Sequence, residues 1–195
     1  MGYFTCNLGH SESWGKGQPD LLTKCYTKGV FNGNYGPINP TVNTSYTFLA
    51  ALVEELKGVF PDKYFHLGGD EVPFGCWQSN PDITRFMNVT GMGKDYAKLE
   101  GYYMQRLLDI VAEKTERYIV WQEVLDSGVK VKPDTVVEVW KDGQEAELAK
   151  VTKLGFRAIL SSCWFSATSP TAATGRRTTC ATHRSLMEPA SRRNL

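Results

Sequence analysis

Two neighbouring carboxylates, Asp70 and Glu71, follow the run Tyr64-Phe65-His66-Leu67-Gly68-Gly69. Adjacent acids repel unless their surroundings hold them in different protonation states, and groups so separated can divide acid and base work between them. The two glycines carry no Cβ, so the chain can turn sharply there and a ligand can come close. Tyr64 to Leu67 is a short apolar and aromatic run, the pattern of a buried strand whose C-terminal end delivers the acids into a cleft. The plainer alternative is a strand-end turn with solvated acids, since structural charge clusters are common.

The surrounding elements must position this turn. Residues 1–45 read as loop, rich in Gly, Asn, Pro and Thr, with Trp14 and Tyr26 as apolar anchors. Ser45 is the expected N-cap of a helix that carries Phe48, Leu49, Leu52, Val53 and Leu56 on one face and stops at Gly58. Beyond the acids, Cys76 to Pro81 continues as loop, with a short helix over Asp82–Met87. Asp95 caps the longest helix, to about Thr115, with Tyr96, Leu99, Tyr103, Leu107, Ile110 and Val111 as its apolar stripe. Further strands are expected at Tyr118–Trp121, Thr135–Trp140 and Phe156–Leu160, with a helix over Asp142–Lys153 whose Leu148 and Val151 point inward. Alternating units of this kind imply an α/β fold with a parallel sheet. Three strands end in tryptophan, namely Trp121, Trp140 and Trp164. Indoles beside carboxylates suit a sugar, whose C–H faces stack while its hydroxyls take polar partners; the same indoles could serve as core fillers.

Composition narrows the function classes. The chain of 195 residues is 42% hydrophobic, enough for a real core. Its net charge of +1 gives no electrostatic case for nucleic acid or a membrane surface, and no run is long and apolar enough to cross a bilayer. Residues 1–164 carry 17 basic and 20 acidic side chains, whereas 165–195 carry five arginines and one glutamate. Met1 to His10 has neither the basic nor the apolar segment of a signal peptide. Five cysteines are an odd number, so at least one is unpaired within the chain. Asn43-Thr44-Ser45 and Asn88-Val89-Thr90 are N-glycosylation sequons.

His66-Leu67-Gly68-Gly69-Asp70-Glu71 resembles the signature of the β-N-acetylhexosaminidases of glycoside hydrolase family twenty, and the likeness is close to the animal lysosomal α and β subunits. Gly9-His10-Ser11-Glu12-Ser13-Trp14-Gly15 is similar to the family's Gly-His-x-x-x-Trp loop. Leu21 to Tyr26, Tyr35 to Pro40, Val120 to Val124 and Pro133 to Thr135 also resemble family segments, so the likeness spans roughly residues 9–164. It implies a partial (β/α) TIM-type barrel made of central strands and helices only. It implies that Glu71 is the general acid and then the base, that Asp70 orients the substrate's 2-acetamido group, and that His10 supports the acid. The acetamido oxygen is then the nucleophile, a substrate-assisted exception to the usual two-carboxylate scheme. Such a mechanism needs Asp70 charged and Glu71 initially protonated. Trp121, Trp140 and Trp164 are implied as pocket walls, and a terminal N-acetylhexosamine of a glycoconjugate as substrate, with no cofactor and no metal. Family members are dimers.

The resemblance further implies a Cys25–Cys76 disulfide, with no second bridge among Cys6, Cys163 and Cys180. A disulfide, with glycosylation at Asn43 and Asn88, points to an oxidising compartment, here the lysosome or the exterior. The likeness ends at both termini. Met1 to Leu8 does not match the family's preceding strand, and Phe165 stands where the family carries tyrosine. Two regions are therefore expected: residues 1–164 as a partial catalytic barrel and 165–195 as a non-native, disordered tail. The codons permitted for Ser166 to Leu195, read one base earlier, can encode a family-like segment starting His-Ile-Ser-Tyr-Gly-Arg-Asp-Trp-Gln, as a frameshift would leave. The chain as written is expected to be inactive or nearly so. The alternative is a non-catalytic carbohydrate- or partner-binding fragment. A chitinase-like barrel lacks its spaced aspartates.

Overall fold

A computed structural model describes Gly15, residues 17–114 and residues 117–162. The first described elements are strands β1 (Leu22–Thr27) and β2 (Val30–Ile38), an antiparallel hairpin in the stretch expected to be loop. Its two-residue turn has Lys28 at φ 51° and Gly29 at φ 79°, the left-handed pair that matches strand twist. The sequence hides this hairpin for a physical reason. β2 is exposed along most of its length, so it carries no alternation, and the turn lacks the usual Asn-Gly or Asp-Gly pair.

Helix α1 (Asn43–Val59) follows. Ser45 is not its cap. The residue ahead of the helix is Val42, which makes no side-chain cap bond. The Ser45 hydroxyl is buried and donates instead to the Asn39 carbonyl at 2.8 Å. β3 (Tyr64–His66) leads into the acidic turn, then come α2 (Gly75–Ser79), unforeseen in the sequence, and α3 (Pro81–Val89). Asn80 joins two regions here. Its side-chain oxygen caps α3 by accepting from the Asp82 and Ile83 N–H groups, while its amide donates to the Lys24 carbonyl in the hairpin at 3.0 Å. Helix α4 (Tyr96–Lys114) starts where expected, the Asp95 carboxylate accepting from the Lys98 N–H at 3.2 Å. Leu99, Tyr103, Leu107 and Val111 are buried as the apolar spacing requires, and Met104 and Leu108 join them; each such side chain stabilises the fold by about 1.5–3 kcal/mol.

β4 (Arg117–Trp121), the short α5 (Gln122–Asp126), β5 (Val136–Val139), α6 (Gln144–Lys153) and β6 (Arg157–Leu160) complete the described chain. The four strands β3-β4-β5-β6 lie in sequence order, all parallel. This orderly progression is that of a β/α barrel, in which each new strand adds to the same edge. Alternate residues divide the sheet faces. Phe65, Leu67, Tyr118, Val120, Val137 and Val139 enter the core with the helices. His66, Ile119, Trp121 and Glu138 have the opposite parity, and His66 contacts both Trp121 and Glu138 on that face.

At the N-terminal end of the sheet, the Tyr64 hydroxyl accepts from Arg117 (3.1 Å) and Arg157 (3.0 Å), tying the starts of three strands.

Candidate functional site

The site is built at the C-terminal ends of β3, β4 and β5. Two backbone bonds continue the β3–β4 ladder past His66: Leu67 N–H to the Ile119 carbonyl (2.9 Å) and Trp121 N–H to the Gly68 carbonyl (3.0 Å). The chain then reverses through positive φ at Gly68 (72°), Gly69 (98°) and Glu71 (26°). Gly69 cannot carry a side chain, because a Cβ there would stand 2.2 Å from Val124 Cγ2 on α5. This close approach fixes where the acids emerge.

His66 is held at both nitrogens. Nδ1 accepts from the Gly68 N–H at 3.1 Å, so the proton sits on Nε2, which donates to Glu138 at 3.0 Å. The imidazole meets the Trp121 ring at 4.8 Å, and Trp121 meets Trp140 at 5.9 Å, both edge-on at 60°. The two tryptophans therefore converge on one sheet face, Trp121 buried and Trp140 half-buried. Trp140 is secured by the adjacent strand end. The Gln122 carbonyl oxygen accepts from the backbone N–H groups of Trp140 (3.0 Å) and Lys141 (3.1 Å). The Trp140 indole N–H donates to both Glu123 oxygens, at 3.2 and 3.0 Å, and Lys141 Nζ lies 2.8 Å from the same carboxylate.

The two acids differ in burial. Glu71 is exposed, whereas Asp70 is half-buried. Burial raises the Asp70 carboxyl above its ordinary value, a backbone hydrogen bond opposes this, and the negative charge of Glu123 adds to the rise. A raised Asp70 runs against the charged state that orienting an acetamido N–H demands. Glu100, on α4, has its carboxyl pushed up to about 7, first by burial and then by Glu123. Asp70, Glu100 and Glu123 thus form an acidic cluster with Lys141 as its nearby cation.

Cavities of about 430, 320 and 600 Å³ are lined by the hairpin and disulfide, by residues 15–24 with Tyr35, and by the start of α4 with residues 127–130, respectively. The four described strands do not surround the space above their ends as a closed eight-stranded barrel does. Among the described residues, no group of three His, Cys, Asp or Glu side chains is arranged to hold a metal, and no helix is long and apolar enough to cross a membrane.

The Cys25–Cys76 disulfide is present, with Cα atoms 4.4 Å apart. It pins the hairpin to α2, five residues after Glu71. Gly36 makes room for it, since a Cβ there would lie 2.5 Å from Cys76 Cβ. Asn43 and Asn88 are both exposed. His10, Trp164, Phe165, Cys6, Cys163, Cys180 and the whole of 165–195 lie outside the described residues.

The model of the family described as "Glycosyl hydrolase family 20, catalytic domain" matches residues 8–188. The chain belongs to this family. It is 52% identical over 161 residues to the β-hexosaminidase subunit alpha of Bos taurus, and 53% identical over 158 residues to the β-hexosaminidase subunit beta of Homo sapiens. Each match takes in 80% of this chain but only 30% and 28% of the relative. A solved exo-β-N-acetylglucosaminidase of Vibrio harveyi superposes with a TM-score of 0.62 at 30% identity, over 78% of this chain and 24% of that one. The family's structural neighbours agree with the partial-barrel reading of the four-stranded parallel sheet.

Sequence reasoning named Asp70, Glu71, Trp121 and Trp140 but gave no role to Gln122, Glu123, Glu138, Lys141 or Glu100. Their strand-end positions are the signal for the first four. For Glu100 the signal is an acid one turn before Met104, on the helix face turned towards Gly69.

Proposed function

We propose that this family 20 chain carries the acid–base part of a β-N-acetylhexosaminidase site, removing terminal non-reducing N-acetylhexosamine from glycoconjugates with retention. The observation that carries this is the Asp70-Glu71 pair on a left-handed turn beside the edge-packed indoles of Trp121 and Trp140. Glu71 is exposed, so its carboxyl can reach a leaving-group oxygen, donate its proton, and later take one from water. Asp70 sits deeper, where it can accept from the acetamido N–H and turn that group's oxygen towards the anomeric carbon. The bond to the leaving group breaks as the acetamido oxygen bonds to that carbon; water then opens the ring so formed, and configuration is retained. Half-buried Trp140 offers the apolar surface for the acetamido methyl and the sugar's C–H face, and the buried Trp121 packs edge-on against it.

An oxidising compartment, the lysosome or the exterior, fits this chain, because the Cys25–Cys76 disulfide persists there. His10 and Trp164 are proposed, by family resemblance, as support for the acid and as a third wall; Asn43 and Asn88 are proposed as glycan acceptors.

The open strand ends of the four-stranded sheet favour a second reading, a chain that binds the sugar without cleaving it. Turnover of a chromogenic N-acetyl-β-glucosaminide, set beside N-acetylglucosamine binding, separates the two. Hydrolysis is expected to be small, because the strand-end surface is open, and to vanish in Glu71→Gln while binding persists. Binding with no turnover that depends on Glu71 would establish the second reading.

A further inference from the structure

We propose that Glu123 is a positioning residue for the sugar site: it clamps the Trp140 indole as a fixed wall and, with Lys141, sets the local charge beside Asp70. The proposal deepens the sugar-binding reading and rests on it. Two consecutive residues at the end of β4 hold two consecutive residues beyond β5. Gln122 fixes the backbone of Trp140 and Lys141, while Glu123 fixes the indole and the ammonium. The Trp121 ring and the Lys141 ammonium also meet the Trp140 ring; the Glu123 carboxylate anchors its polar end by accepting the indole N–H on both oxygens. It does so from a sheltered position, its side chain 15% exposed against 40% for Lys141. A charge-assisted bond in such surroundings is stronger and more directional than one in water.

The same carboxylate reaches Asp70 and Glu100 electrostatically. Its charge adds to burial in raising both Asp70 and Glu100. Burial pulls Lys141 downward, but the bond and charge of Glu123, together with the charges of Glu71 and Asp126, make the net shift upward. Lys141 therefore stays charged and offsets the cluster.

The test uses 15N-labelled tryptophan in the whole chain, with the Trp140 indole signal assigned through Trp140→Phe and the fully buried Trp77 as a folding control. Glu123→Ala should move the Trp140 signal upfield, leave that of Trp77 in place, and weaken N-acetylglucosamine binding about tenfold. Glu123→Gln keeps one acceptor for the indole and removes the charge. It should weaken binding less, and shift the acid limb of binding to lower pH as Asp70 loses a like charge. If Glu123→Ala loses the Trp77 signal and so fails to fold, Glu123→Gln alone decides through that pH limb. An unmoved Trp140 signal in folded Glu123→Ala overturns the clamp. A moved signal with unchanged affinity and an unchanged pH limb overturns the positioning role. If the unmodified chain binds no N-acetylglucosamine while the Trp140 signal still moves, the sugar reading fails; the positioning role fails with it, and the clamp stands as architecture alone.

Discussion

The two ends of the same four-stranded sheet are held by different chemistry. At the N-terminal end, Tyr64 accepts from Arg117 and Arg157, side chains open to solvent, and Arg157 also reaches the Asp134 carbonyl at 2.7 Å. Water can replace each of these bonds. At the C-terminal end, Gly69 is pressed against Val124, His66 is bonded at both nitrogens, and Glu123 binds an indole and an ammonium together. The carboxylates crowd at this end, and burial lifts two of them. A barrel keeps its chemistry at the strand C-termini and its stability at the opposite face. This sheet shows the physical side of that division: one end is fastened with replaceable surface bonds, the other with a close glycine–valine contact and sheltered hydrogen bonds.

The largest break in the comparison should come from Gly69→Ala. The new Cβ would meet Val124 at 2.2 Å and also force an L-residue to φ 98°, so a loss of about 3 kcal/mol or more is expected in urea unfolding. Opening the disulfide by Cys25→Ser with Cys76→Ser should cost about 2–4 kcal/mol, because 51 residues separate the two cysteines. Limited proteolysis should then cut first in the hairpin, while the β3–β6 sheet keeps its amide protection.

Glu100→Gln sharpens the contrast through pH. The folded carboxyl titrates near 7 against an ordinary 4.5, so the folded chain holds more protons than the unfolded chain between those values. Stability should therefore fall as pH rises from about 4.5 to about 7. The glutamine variant, which has no charge to bury, should be the more stable form above pH 7 and show no such gain below pH 4.5. Denaturant midpoints compared across that range check the sign. The smallest effect is expected at the opposite end, where Tyr64→Phe removes two solvent-exposed bonds and should cost under about 1 kcal/mol.

Much of this was legible in the chain. The strands at 64–66, 117–121, 136–139 and 157–160 stand out as short apolar runs, the first three carrying buried residues and the last partly buried ones. The acidic turn is legible because two glycines after a short apolar run mark a sharp reversal ahead of the two acids. The hairpin was hidden by its exposed second strand, and α2 and α5 by their length, five residues each, too short to show a helical period. Glu123 and Lys141 escaped because their roles arise from contact between two strand ends that are distant in sequence. The direction of the Asp70 shift was equally out of reach, since it depends on burial that no spacing reveals.

Whether the strand ends recognise an N-acetylhexosamine is tested most directly by titrating the indole signals of Trp121 and Trp140 with N-acetylglucosamine and, separately, with glucose, which lacks the acetamido group. N-acetylglucosamine should move both signals, and glucose should leave them in place. Equal responses to the two sugars, or a response confined to other tryptophans, would contradict an acetamido-binding site built from Asp70, Trp121 and Trp140.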